Sequence, residues 1–499
     1  MIVMRRRVGL LVALAVFVAL ADAAPANAHG FGQRYDLPLP LSLYLWGAGA
    51  VVAFSFAIFA LFLNAQWAAQ SLPGIAFAAT SRWRAAGFAL ATMMRVIGVI
   101  VFAVVVAAGL LGEANPVRNI APAMIWIIGW VGIAFLSSLV GNVWQFLNPW
   151  DTLFRSAEWL ARRLGGGLEP WRGYPQPLGV WPTFAFFIAF AWMELVWAGR
   201  NVPAELSAAL IVYSAITWAG MAAFGRDVWL RHGEVFNLVF GIFARFAPVR
   251  WPCRPGDTAV LRPPASGLLD DRPMDCPLHP SMVMLVIALL ATVTFDGFLE
   301  TPLWARIDVA ILDLPPESPV WTTFGLREDQ ALRAVRTLAL PCFVAIFTAG
   351  YLLVCRCMAA LSNDRAHGAS YLARRFVLSL VPIALAYHVA HYFSYLLIGG
   401  QYVVPLASDP FGWGWNLFGT ASYLVNIGVV DPRLQWAVAV IAVVLGHVVA
   451  VYLAHVTALR LFRDRHAALV SQIPMLFLMV GYTMCSLWIL SQPIVETAG

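Results

Sequence analysis

Residues 86–110 read AGFALATMMRVIGVIVFAVVVAAGL, a run with a single charged side chain, Arg95. As a helix it is about 37 Å long, enough to cross a hydrocarbon core of about 30 Å. Inside lipid every backbone N–H and C=O must be satisfied within the chain, so a lipid-facing run of this length has to be a helix. About ten such runs follow one another, at 41–63, 86–110, 120–140, 181–199, 204–223, 280–299, 336–359, 376–398, 434–458 and 473–491. Over all 499 residues 61% are hydrophobic and 12% are charged, where soluble domains carry about a quarter. The expected fold class is therefore an all-α polytopic membrane protein, with about ten transmembrane helices after a cleaved signal peptide. No internal repeat is visible.

The signal comes first in the chain. MRRR is followed by VGLLVALAVFVAL and then by ADAAPANA: a basic region, a short apolar region and a small-residue cleavage site. Cleavage after Ala28 makes 1–28 a signal peptide and 29–499 a single helical bundle. His29 then becomes the first mature residue, its free amine beside an imidazole. That pair is a chelator for copper.

Orientation follows from the arginines, which supply all 32 basic residues. With His29 outside and the spans alternating, the loops TSRWR, DTLFRSAEWLARRLGGGLEPWR, 225–278, NDRAHGASYLARR and RLFRDRH fall inside and hold most of the Arg. Outer loops such as GEANPVRN and AGRNVPAE hold few. This is the positive-inside pattern, and it places both mature termini outside the cytoplasm. The basic excess faces anionic lipid; no nucleic-acid partner is implied. Within 225–278, GEVFNLVFGIFARFAP has helical apolar spacing and reads as an interfacial amphipathic segment. Cys276 and His279, with Cys253 nearby, fall short of a four-ligand zinc pattern.

Ionisable residues inside spans are costly and mark function. By helical rise, Glu194 lies roughly 20 Å from its inner helix end, Asp296 roughly 25 Å, and His388 and His391 roughly 18 and 23 Å. Three helices thus place acids and imidazoles at one level in the outer half. His447 reaches about 20 Å down from the outside. His388 and His391 are three apart and Asp296 and Glu300 four apart, so each pair shares a helix face. Imidazoles and carboxylates on facing helices are the donors of a zinc, manganese or iron site. Asp296, His388, His391 and His447 are the candidate ligands, with Glu194 or Glu300 as ligand or base. A b-type haem between His388 or His391 and His447 is an alternative, as is a proton or ion pathway. Tyr392 beside the pair orients ligands or belongs to an aromatic belt. In the outer loop SDPFGWGWNLFGT, Asp409, Trp413 and Trp415 form either a lid or an interfacial anchor.

Five strings, AHGFGQRYDLPLPLSLYLWGAGA, TFDGFLETPLW, YHVAHYFSYLLIGGQ, SDPFGWGWNLFGT and GHVVAVYLAH, resemble the bacterial integral membrane proteins known as fenitrothion hydrolases. The resemblance runs over essentially the whole chain. It implies a bacterial inner-membrane enzyme that hydrolyses an apolar organophosphorothioate triester and releases a nitrophenol. A metal-activated water suits that chemistry. The chain has neither GxSxG nor HExxH, so the serine-esterase and zincin routes lack their motifs. Other classes remain open: a copper-binding or redox protein using His29, a transporter, or a haem-bearing respiratory subunit. A second membrane subunit is a further expected partner.

Overall fold

The computed structural model describes residues 35–69, 74–77, 81–252, 258–269, 279–362, 368–493 and 495–496. The signal region 1–28, His29, Cys253 and Cys276 lie outside them.

Among the described residues ten helices are long and apolar enough to cross a bilayer. Adding the non-spanning helices that matter here, we number α1 (Leu41–Phe62), α2 (Ser81–Leu111), α3 (Ile120–Val140), α4 (Pro149–Arg163), α5 (Trp181–Leu195), α6 (Pro203–Phe224), α7 (Val235–Phe243), α8 (Pro280–Leu299), α9 (Glu328–Ser362), α10 (Ala369–Ser408), α11 (Pro432–Leu461) and α12 (Arg465–Ser491). The chain is an all-α, multi-pass membrane protein. Helix starts follow ordinary chemistry. Proline occupies the first turn of α6, α8 and α11, where no N–H is needed. Asp431 and Asp464 cap α11 and α12 by accepting from Leu434 N and Ala467 N. Gly225 ends α6 at φ 90°, a conformation that favours glycine.

Ten crossings return the chain to the end where it began. Tyr35–Asp36 pairs in parallel with Val495–Glu496 there. At the opposite end Ile75–Ala76, Val260–Leu261 and Val249–Arg250 form a small antiparallel sheet. It ties the first loop to the 225–278 segment and agrees with their expected common side.

Two helices form the centre. α8 and α10 have 78% and 83% of their apolar windows buried, against half or less for each other span. Their neighbours pack closely. Gly446 of α11 faces α10 so tightly that a Cβ there would sit 2.3 Å from Ala386 Cβ and 2.8 Å from Pro382 O. Small residues permit such approach between membrane helices. Gly446→Ala is expected to push α10 and α11 apart and cost about 1–3 kcal/mol as overpacking. Thermal unfolding in detergent checks this; an unchanged midpoint would refute the tight contact.

Two helices depart from regular α geometry. α3 is a π-helix over Ala123–Gly132, and α10 is a π-helix over Tyr395–Gly399. The two segments abut: a Cβ on Gly399 would lie 3.0 Å from Ile127 Cδ1. Such widened turns frequently flank functional sites.

The segment expected along the membrane surface is placed differently. α7 is packed inside, with Val239, Phe240 and Phe243 buried. Phe240 meets Trp130 and Trp144, and Phe243 meets the His388 ring. Its continuous apolar surface finds aromatic partners on several sides, so it enters the core. The amphipathic surface element is α4 instead, with Trp159 and Leu160 exposed and Leu164 exposed just beyond its end.

Candidate functional site

Depth matching left open whether the intramembrane polar residues are lateral neighbours. Four of them are. α5 carries Glu194 one residue before its end, α8 carries Asp296 one turn before its end, and α10 carries His391 and Tyr392. The α8 backbone can come this close to α10 because residue 297 is glycine. A Cβ there would lie 2.5 Å from the Tyr387 hydroxyl.

The cluster is hydrogen-bonded. His391 Nε2 lies 2.9 Å from Asp296 Oδ2. The Tyr392 hydroxyl lies 2.8 Å from the same oxygen and 3.2 Å from Glu194 Oε1. One phenolic proton serves one carboxylate at a time. Both contacts are hydrogen bonds only when the cluster holds a further proton, on Glu194 or Asp296. The group can therefore hold a further proton without rearranging its heavy atoms. It is not sealed: the His391 and Asp296 side chains are 18% and 22% exposed. Glu300, exposed one turn beyond Asp296, stands at the rim.

His388 and His391 do not act on one partner. His388 turns toward Trp130, Phe135 and Phe243, with ring centroids 5.3–6.0 Å away, and touches Tyr392 from the other side. Its Nε2 is buried, and among the described residues it has no hydrogen-bond partner. It borders a cavity of about 10 Å³ lined also by Glu194 and Tyr392. That space holds about one water and no porphyrin. His447 belongs to another group: its Nδ1 bonds Val443 O, and its ring lies 5.8 Å from Tyr482, whose hydroxyl pairs with Thr294. No hydrogen bond joins His447 to Asp296. Among the described residues no three His, Cys, Asp or Glu side chains converge as a ready metal site.

The outer loop is organised by its own residues. Asp409 accepts from Trp413 N at 2.9 Å and Gly414 N at 2.7 Å, so its carboxylate closes a turn rather than facing a ligand. Trp413 and Trp415 pack on Phe411 and stay half exposed. The loop docks on the α2–α3 connection through Glu113 N→Phe411 O and Ile120 N→Pro410 O. None of its residues lines the cavity beside His388.

Sequence reasoning missed Arg200 and Trp130. Arg200 donates to Glu194 O at 3.0 Å, and its own carbonyl accepts from Trp126 Nε1 at 2.7 Å. It fixes the end of α5 that presents Glu194. Arg200 is the lone arginine of AGRNVPAE, a loop expected outside and poor in arginine, and that isolation was the available signal. No family model, no curated protein and no solved structure matches this chain.

Proposed function

We propose that the Glu194–Tyr392–Asp296–His391 cluster is a hydrolytic site for apolar phosphotriesters, set in the outer half of a bacterial inner membrane with both chain ends on the extracytoplasmic side. The observation that carries this reading is the partly exposed His391–Asp296 pair at 2.9 Å. Asp296 accepts a hydrogen bond from Nε2–H and so leaves Nδ1 as the basic nitrogen, the tautomer control familiar from hydrolytic His–Asp pairs.

In the proposed reaction Nδ1 of His391 accepts a proton from water. The water oxygen bonds to phosphorus and the P–O(aryl) bond breaks. The aryloxide departs with the electron pair and the diester keeps the new hydroxyl. Nitrophenolate is a weak base, so little acid catalysis is required of Tyr392 or Glu194. Their role is to hold the second charge and present a donor near the phosphoryl group. Asp296 and His391, with Glu194 nearby, are the residues that would hold a divalent ion, which would supply activation of a water near neutral pH. His388 faces its aromatic box instead.

The test uses membranes from cells expressing the full chain. Nitrophenol release above empty-vector membranes supports the reading. No release from the chain alone, or with its genomic neighbours co-expressed, overturns it. Metal analysis of the same purified protein separates zinc, manganese or iron at the cluster from copper that is lost when the N-terminus is blocked.

A second reading is a proton pathway, favoured by three buried, unpartnered atoms: the Tyr387 hydroxyl and Nε2 of His447 and His455. Proton flux into proteoliposomes, absent in His447→Leu, distinguishes it.

A further inference from the structure

Arg95 is a charge within a span. It lies ten residues after Ala85, where the apolar stretch of α2 begins, or about 15 Å along the helix. A guanidinium at that depth needs a counter-charge. Among the described residues no hydrogen bond or ion pair reaches it, and its Nε is buried without a partner.

Arg95 opens onto a cavity of about 130 Å³ at the Arg-rich end of the bundle, lined also by Arg155, Asp151, Asn148 and Asn237. Asp151 is the carboxylate on this wall, and it is already engaged. Its Oδ2 holds Arg155 Nε at 2.8 Å, and its Oδ1 lies 3.6 Å from Arg226. Arg226 also reaches Glu158 at 3.7 Å and the exposed Asp227 at 3.0 Å. The wall therefore presents two guanidinium groups and one carboxylate, which pairs with Arg155 and Arg226 and lies near Arg95 without an ion pair to it. Asn148 and Asn237 spend their amide donors elsewhere, on Glu234 and on Leu230 O.

We propose that this cavity binds a phosphate group, held between Arg95 and Arg155. The volume suits one tetrahedral anion, and guanidinium forks match its oxygens. The neighbouring surface favours a lipid headgroup as the source. α4 starts at this cavity and runs away from it with Trp159 and Leu160 exposed, followed by exposed Leu164 and Trp171. Aromatic and leucine side chains beside basic residues are what an element lying in the membrane interface shows. Free inorganic phosphate shares the same chemistry and is the other source.

The experiment uses the full chain in nanodiscs. The protein is carried through delipidation from phosphatidylglycerol–phosphatidylcholine mixtures and examined by native mass spectrometry. In pure phosphatidylcholine discs it is titrated with inorganic phosphate, followed by ³¹P NMR. Retention of phosphatidylglycerol, weakened about tenfold or more in Arg95→Gln and Arg155→Gln, supports the headgroup as ligand. Phosphate binding with the same sensitivity but no retained lipid supports the anion site and assigns it to free phosphate. Neither signal, or equal signals in wild type and both variants, overturns the proposal. Arg95→Gln removes a charge from a span, so the variant is expected to insert and fold. Its unfolding midpoint, measured alongside, reports this.

Discussion

His391→Ala is expected to lower nitrophenol release by about a hundredfold to ten-thousandfold, the range a positioned general base contributes. Asp296→Asn should fall in the same range by a different route. Asparagine still accepts a hydrogen bond from Nε2–H of His391, so the ring keeps its place, but the negative charge that stabilises an imidazolium is gone. The two variants are therefore separable by pH. Wild type should lose activity as His391 becomes protonated, with a limb that His391→Ala abolishes and Asp296→Asn retains. Tyr392→Phe keeps the ring that packs against His388 and His391 and removes only the hydroxyl between the carboxylates. A merely structural His391 would leave a stable protein with wild-type rates and an unmoved pH limb. That result would sink the site as drawn.

The parts of this site that could be read in advance were those governed by length along a helix. The bilayer fixes how long an apolar run must be, so all ten spans were legible, although α9 and α12 begin eight residues earlier than the apolar runs and α10 ends ten residues later. Rise per residue then put Glu194, Asp296 and His391 at one height. Height carries no information about which helices are neighbours, and that had to come from packing. The placement of α8 and α10 at the centre is a property of all the spans together. The split between His388 and His391 shows the next limit of pattern. Residues three apart on a helix differ by about 60° in direction. That spacing is compatible with one shared partner or with two. Here Trp130 and Phe243 draw one ring away while Asp296 holds the other. The π-segments of α3 and α10 had no sequence signal beyond glycines at 129, 132 and 399. Asp409 was singled out as charged, yet in an outer loop a carboxylate closes turns as readily as it binds ligands. The apolar segment after Glu234 was assigned to the surface from its periodicity alone, which does not tell a lipid-facing stripe from one facing Trp130 and Trp144.

Glu234 itself gives the largest expected effect on stability. It is fully buried at the start of α7. Its Oε1 accepts from the Tyr213 hydroxyl at 2.8 Å and from Phe236 N at 3.1 Å. Its Oε2 accepts from Asn237 N at 2.7 Å, Asn148 Nδ2 at 3.0 Å and Trp144 Nε1 at 3.4 Å. One carboxylate thus joins α6, the approach to α4 and the first turn of α7. Glu234→Ala strands these donors away from water, each at about 1–3 kcal/mol if left unpaired. The costs are not additive, because donors facing one new cavity can share a water. A net loss of about 3–5 kcal/mol is expected, the range for breaking a buried charged group's partnerships. Glu234→Gln keeps the shape and one acceptor and should lose less. Adding Tyr213→Phe to Glu234→Ala should recover part of the loss, since it removes one stranded donor. Unfolding midpoints in detergent test the series. A loss below about 1 kcal/mol for Glu234→Ala would mean that α7 is held by its aromatic contacts alone. A large loss carries a consequence at the other site. Phe240 on α7 packs against Trp130, and Trp130 packs against His388. Loosening α7 removes a wall of the aromatic box behind Tyr392, so the destabilised variant should also turn over triester more slowly at temperatures where it remains folded.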